Sequence, residues 1–127
     1  MVRGIAAVVG GLVVWTVVAT LINLALRYGW TAYADVEKAM TFTLAMMAAR
    51  LAVGAVASMC AGATVAGIAK GNDRAVVIVA ALLLVLFVPV HYQLWNAFPL
   101  WYHVAFFVLL VGMTFVGAAL YRRTTVR

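Results

Sequence analysis

Acidic residues are almost absent. Asp35, Glu37 and Asp73 are the only three in 127 residues, and each lies in a polar break between apolar runs. No carboxylate therefore sits inside such a run. This argues against a proton-coupled carrier built around a membrane-embedded acid and against acid–base catalysis by paired carboxylates. Ser58 is the only serine and has no histidine near it in sequence, so a serine nucleophile would lack its base. Cys60 stands alone: no intrachain disulfide and no CxxC pair is possible, and in an apolar helix a lone cysteine acts as a small hydrophobe. A glycine-rich phosphate loop is also missing. With no catalytic constellation, the expectation is a protein that is not an enzyme, and nothing implies a cofactor.

What is present is apolar. Hydrophobic residues make up 69% of the chain and charged residues 9%, against about 45–50% and about 25% in ordinary soluble domains. A soluble monomer of that composition would expose large greasy patches, which such proteins rarely do; lipid removes the difficulty. The net charge of +6 does not point to nucleic acid, because the basic residues form no stripe. Arg3, Arg27, Lys70, Arg74, Arg122 and Arg123 instead flank apolar runs, as topology signals beside anionic headgroups do.

Four membrane spans are predicted, at about 4–26, 39–69, 75–95 and 99–121, in one transmembrane domain covering 1–127. The first run, Gly4 to Leu26, carries no charge and is too long for a signal-peptide core of about 7–15 residues, so Ala32-Tyr33-Ala34 is read as loop sequence and the run as a retained span. Residues 28–38 read as a loop. Lys70 to Arg74 reads as a tight turn, with Asn72 or Asp73 able to cap the next helix. Pro89 should kink the third helix, and Pro99 suits the first turn of a fourth. One helix from Ala75 to Leu120 would measure about 69 Å, twice a hydrocarbon core, so a hairpin must turn at 96–99. Alternation of the barrel type is absent. The expected fold is all-α, an integral membrane four-helix bundle running up-down-up-down.

Arg3, Lys70, Arg74, Arg122, Arg123 and Arg127 fall on one side of this layout, and Arg27 and Lys38 on the other. The basic excess places both termini in the cytoplasm, as expected of a multi-pass inner-membrane protein. The outer side then gathers Tyr28, Trp30, Tyr33, Tyr92, Trp95, Trp101 and Tyr102, as an aromatic belt would.

Depth follows from counting away from the cytoplasmic anchors. Arg3 to Asn23, Lys70 back to Arg50, Arg74 to His91 and Arg122 back to His103 each span about 17–20 residues, or about 25–30 Å. One polar residue from each helix should therefore lie at a shared level near the outer edge of the core. Thr16, Thr20, Asn23 and Arg27 share one face of the first helix, Arg50, Gly54, Ser58 and Gly62 one face of the second, and His103, Phe107, Leu110, Thr114 and Gly117 one face of the last. Such faces should turn inward, since lipid offers polar groups no partner.

Each of these residues also has a plainer reading. Gly54, Ser58 and Gly62 form a small-xxx-small ridge that lets helix backbones approach, so helix packing is their expected role. Arg50 can snorkel to headgroups, take a structural partner such as a carbonyl or Asn23, or bind an anion. His91 and His103 bracket the hairpin and could ligate a metal or haem. Without Cys, Asp or Glu beside them they make a thin ligand set, and hydrogen bonds to Tyr, Gln or Asn are the simpler expectation.

The run HYQLWNAFPLWYH, residues 91 to 103, resembles a motif in small four-helix bacterial inner-membrane proteins. Gln93, Trp95, Pro99, Leu100, Trp101, Tyr102 and His103 carry the likeness, followed by an apolar helix and a basic end. It implies an inner-membrane location and no agreed activity. Two functions lead, with a redox or catalytic role third. One is association, as an accessory or assembly subunit of a membrane complex or as a small homo-oligomer, with lipid and other membrane subunits or itself as partners and no nucleic acid. The other is a binding or transport module, with an outward-facing pocket of Asn23, Arg50, His91, Tyr92, Gln93, Trp95, Trp101 and His103 for a small anionic or aromatic ligand, a lipid headgroup or a metal.

Overall fold

A computed structural model describes residues 2–37, 42–70, 73–96 and 98–125. Every regular element among them is helical: α1 (Val2–Gly29), α2 (Thr31–Glu37), α3 (Leu44–Ala69), α4 (Asp73–Gln93) and α5 (Leu100–Thr125). Four of these, α1, α3, α4 and α5, are long and apolar enough to cross a membrane. Their outer faces are aliphatic. Ile5, Val9, Val13, Val17 and Leu21 form an exposed stripe along α1, and Val85, Leu86, Val104 and Val108 are more than half exposed on α4 and α5. In water that surface would be costly; against acyl chains it is matched.

The helix ends are set by local chemistry. Thr43 caps α3, its hydroxyl accepting from the Met46 N–H, so α3 begins later than position 39; residues 38–41 lie outside the described residues. At the far end Lys70 adopts the left-handed region (φ 47°) and its N–H bonds to the Ala66 carbonyl, closing the helix as a C-terminal αL residue does. Of the two predicted caps in the following turn, Asn72 lies outside the described residues and Asp73 opens α4. The 94–96 turn bonds back onto α4 through Leu94 N–H to Val90 O and Trp95 N–H to Tyr92 O. Pro99 stands just before α5, its carbonyl accepting from the Tyr102 N–H.

One expectation needs correcting. Residues 28–38 are not simply a loop, because Thr31–Glu37 is a short helix. Trp30 N–H bonds to Leu26 O and Ala34 N–H to Trp30 O, so helical pairing carries past the break at Trp30 and turns Tyr33 fully into the protein.

α3 is the central element, packed most extensively against α1 and α5. Small residues allow this. A Cβ added at Gly62 would meet the Thr114 carbonyl, and one at Gly117 the Met59 carbonyl, so the two backbones run in direct contact. Gly11 of α1 faces Val65 and Val79. Val65, Val79, Leu83, Phe106 and Leu110 fill the space between the helices. The buried hydroxyls of Ser58 and Thr114 donate to Gly54 O and Leu110 O, both at 2.7 Å, one turn back in their own helices, which satisfies them without a second helix.

Candidate functional site

Arg50 organises one end of the bundle. It lies on the first turns of α3, and its guanidinium is held from both sides. Nη1–H donates to the Tyr33 hydroxyl at 3.0 Å and Nε–H to the Tyr102 hydroxyl at 3.3 Å. Tyr33 in turn donates to Asn23 Oδ1 at 3.0 Å. A continuous polar chain thus links α1, α2, α3 and α5. The guanidinium carbon also sits 4.7 Å from the centroid of the Phe42 ring and 5.7 Å from that of Phe98, within range for cation–π attraction. Those rings stack 5.8 Å apart, and Phe98 stacks on Tyr102 at 4.3 Å. Arg50 is therefore bound into a polar and aromatic cage. Of the three roles open to it in the sequence, a structural partner is present, supplied by tyrosine hydroxyls and not by a carbonyl; Asn23 is joined to it through Tyr33.

Beside this network lies a cavity of about 280 Å³, at the lower edge of the range of about 300–1,000 Å³ typical of ligand pockets. Thr20, Asn23 and Arg27 line it from α1, Arg50 and Gly54 from α3, and Tyr102 from α5. Trp15, Phe87 and Phe106 close its inner part; Trp15 packs on Phe87 at 4.8 Å between centroids and Phe87 on Phe106 at 5.2 Å. The Trp15 indole N–H donates to Ser58 Oγ at 3.0 Å, fixing the ring. Two arginines and an asparagine meet at the cavity, and none of the described residues lining it is acidic.

The histidines form a separate centre. His91 and His103 are almost wholly buried, with their Nδ1 atoms 2.6 Å apart. His103 Nε2 lies 3.4 Å from the Trp95 carbonyl. A carbonyl only accepts, so Nε2 carries the proton, His103 Nδ1 is the acceptor, and His91 Nδ1–H donates to it. The Trp95 indole stacks on His103 at 4.9 Å, and Phe106 and Phe107 pack on His91 at 4.5 and 4.7 Å. Both histidines have found partners, namely each other and a carbonyl, in place of the Tyr, Gln or Asn expected. In this arrangement the two Nδ1 atoms stand closer than the roughly 3.3 Å that separates two nitrogens on one zinc at about 2.0–2.1 Å. Among the described residues no group of three or more His, Cys, Asp or Glu could hold a metal.

The eight residues read as one pocket thus divide. Asn23 and Arg50 face the cavity. His91 and His103 pair behind a wall of Tyr102 and Phe106, with Trp95 as a half-exposed cover. Tyr92, Gln93 and Trp101 lie on the outer surface. Gly54, Ser58 and Gly62 are all buried at helix contacts. The sequence reading missed Trp15, Tyr33, Phe42, Phe98, Tyr102 and Phe106 as site residues. A usable signal was there for two of them: Tyr102 and Phe106 stand four apart, one position off the inward face already read from His103 and Leu110.

No family model matches this sequence, and no curated protein and no solved structure is significantly similar to it.

Proposed function

We propose that this chain is a non-catalytic, membrane-embedded binding module that takes a small anionic ligand in the cavity beside Arg50. The observation that carries the reading is the charge of the cavity. Arg27 and Arg50 both line it, and none of the described residues lining it is a carboxylate. An ion held among low-dielectric walls attracts its counter-ion far more strongly than the same ion in water. Arginine's planar donor fork suits carboxylate and phosphate.

The reading placed first by the sequence, action by association, drew on glycine-lined helix faces, little extramembrane mass and the lack of a catalytic set. Gly54, Gly62 and Gly117 meet Phe106, Thr114 and Met59 of the same chain, so those faces are consumed within the bundle and give no separate support for a partner.

The same proposal includes the placement in the membrane. The helices run up-down-up-down across a bacterial inner membrane with both termini cytoplasmic, and the likeness of residues 91–103 to small inner-membrane proteins belongs with this reading. Residue pairing supports the alternation. Gly11 meets Val65 and Trp15 meets Ser58, so numbers rise along α1 as they fall along α3; Gly54 meets Phe106 and Gly67 meets Tyr121, so α3 and α5 run the same way. The basic excess at Arg3, Lys70, Arg74, Arg122 and Arg123 supports the cytoplasmic side. The cavity then opens outward.

Native mass spectrometry of protein released from its own membranes tests the function. A bound anion on wild type that is lost in Arg50→Gln, with the variant still folded, is the expected result. Identical spectra for the two proteins would overturn the assignment.

A further inference from the structure

Resting on that anion-site reading, we infer that the ligand is a single-chain amphiphile, with its anionic head at Arg27 and Arg50 and its hydrocarbon chain running inward to Trp15. The cavity is long and chemically graded. Its lining along α1 extends from Arg27 to Trp15, twelve residues or about 18 Å along the helix axis. The Arg27 end holds Asn23 and Arg50. The opposite end is aromatic: Trp15 lies on Phe87 and Phe87 on Phe106. Gly54 lines the passage between the two ends, where the missing side chain leaves the nearest Phe106 ring atom 3.2 Å from where a Cβ would stand. A compact anion such as phosphate would fill the head region and leave the aromatic end unoccupied. A chain fills both ends, its head on the arginines and its methylenes against the aromatic rings.

Size selects one chain. About 280 Å³ suits a short hydrocarbon tail with its head; the second chain of a phospholipid would lie outside the cavity. Entry is open beside Thr20 and Arg27, both exposed on α1. The wall at the inner end is held rigid, because the Trp15 indole is tied to Ser58, whose own hydroxyl is tied to Gly54 O. The head contacts need not displace the tyrosines from Arg50, since a guanidinium has more N–H donors than Tyr33 and Tyr102 use.

Trp15 at the inner end is a built-in reporter. The experiment uses the full chain carrying Trp30→Phe, Trp95→Phe and Trp101→Phe, in nanodiscs of phosphatidylcholine. Decanoate brominated at the chain terminus is titrated while Trp15 fluorescence is followed. Saturable quenching is expected, at least tenfold tighter than for the uncharged brominated alcohol of the same length. Affinity should fall several-fold in Arg27→Gln, an exposed position, and further in Arg50→Gln. Two-chain phosphatidylglycerol brominated near its chain ends should not quench saturably. Equal quenching by acid and alcohol, or quenching indifferent to both arginines, overturns the inference as simple partition into the bilayer. If inorganic phosphate binds as tightly as decanoate and depends on Arg50, the amphiphile is excluded while the anion site stands. If neither binds, both fall.

Discussion

The two polar centres at one end of this bundle are built from similar materials and behave differently. Around Arg50, hydrogen bonds run outward from one cation to Tyr33, Asn23 and Tyr102, on three other helices, and a cavity opens beside it. Around His91 and His103 the polar atoms face one another, closed in by Trp95, Phe106 and Phe107. The first has more binding capacity than its own partners use and space next to it; the second is satisfied internally. Burial alone does not make a site. What separates the two is whether a charged group keeps donors beside a volume that a ligand can enter.

The dry contact of α3 with α5 sets the scale against which both centres can be perturbed. Gly62→Ala places a methyl group on the Thr114 carbonyl, backbone against backbone, where neither side can turn away. A loss of at least ~3 kcal/mol is expected, read from reversible unfolding in mixed micelles. Arg50→Met comes next. It leaves the Tyr102 hydroxyl without its Arg50 bond and removes the cation from the Phe42 and Phe98 rings; a cost of about 2–3 kcal/mol is expected, with anion binding abolished in the same preparation. If stability falls and binding persists, the Arg50 centre is structural, like the histidine one.

The histidine pair should show the opposite split. His91→Phe or His103→Phe leaves one imidazole nitrogen buried without its partner and should cost about 1–3 kcal/mol. The double variant should lose clearly less than the sum of the two, and ligand binding should be unchanged in all three if they stay folded. A binding defect there would merge the two centres into one. Gly112→Ala is the smallest change: nothing lies within 4 Å of the added Cβ, and the effect should stay within about 0.5 kcal/mol, sharpening the contrast with Gly62.

Helix rise is constant, so counting residues from a basic anchor predicts a shared height for Asn23, Arg50, His91 and His103. Azimuth is not fixed in that way. Residues at one level can stand on different sides of a bundle, and which neighbour each meets depends on helix rotation. Asn23 and Arg50 consequently share a cavity while His91 and His103 share a hydrogen bond. The ridge of Gly54, Ser58 and Gly62 was readable from spacing alone. Tyr33 was not, since after Gly29 the segment reads as a loop with an aromatic anchor, and only the pairing of Trp30 and Ala34 into helical turns brings it inward. Tyr102 stood next to the histidine that drew attention. Trp15 stands inside an uncharged apolar run, where packing is its plainest role, and it also packs on Phe87.

Arginine side-chain nitrogen resonances offer the most direct test of the Arg50 centre. The chain has seven arginines, and labelling their Nε atoms with nitrogen-15 gives one signal for each, Arg50 being assigned from the signal lost in Arg50→Lys. Titration with decanoate in nanodiscs should shift the Arg50 and Arg27 signals saturably and leave Arg3, Arg74, Arg122, Arg123 and Arg127 in place. A uniform drift of all seven, or an Arg50 signal that never moves, would contradict an anion site in this cavity.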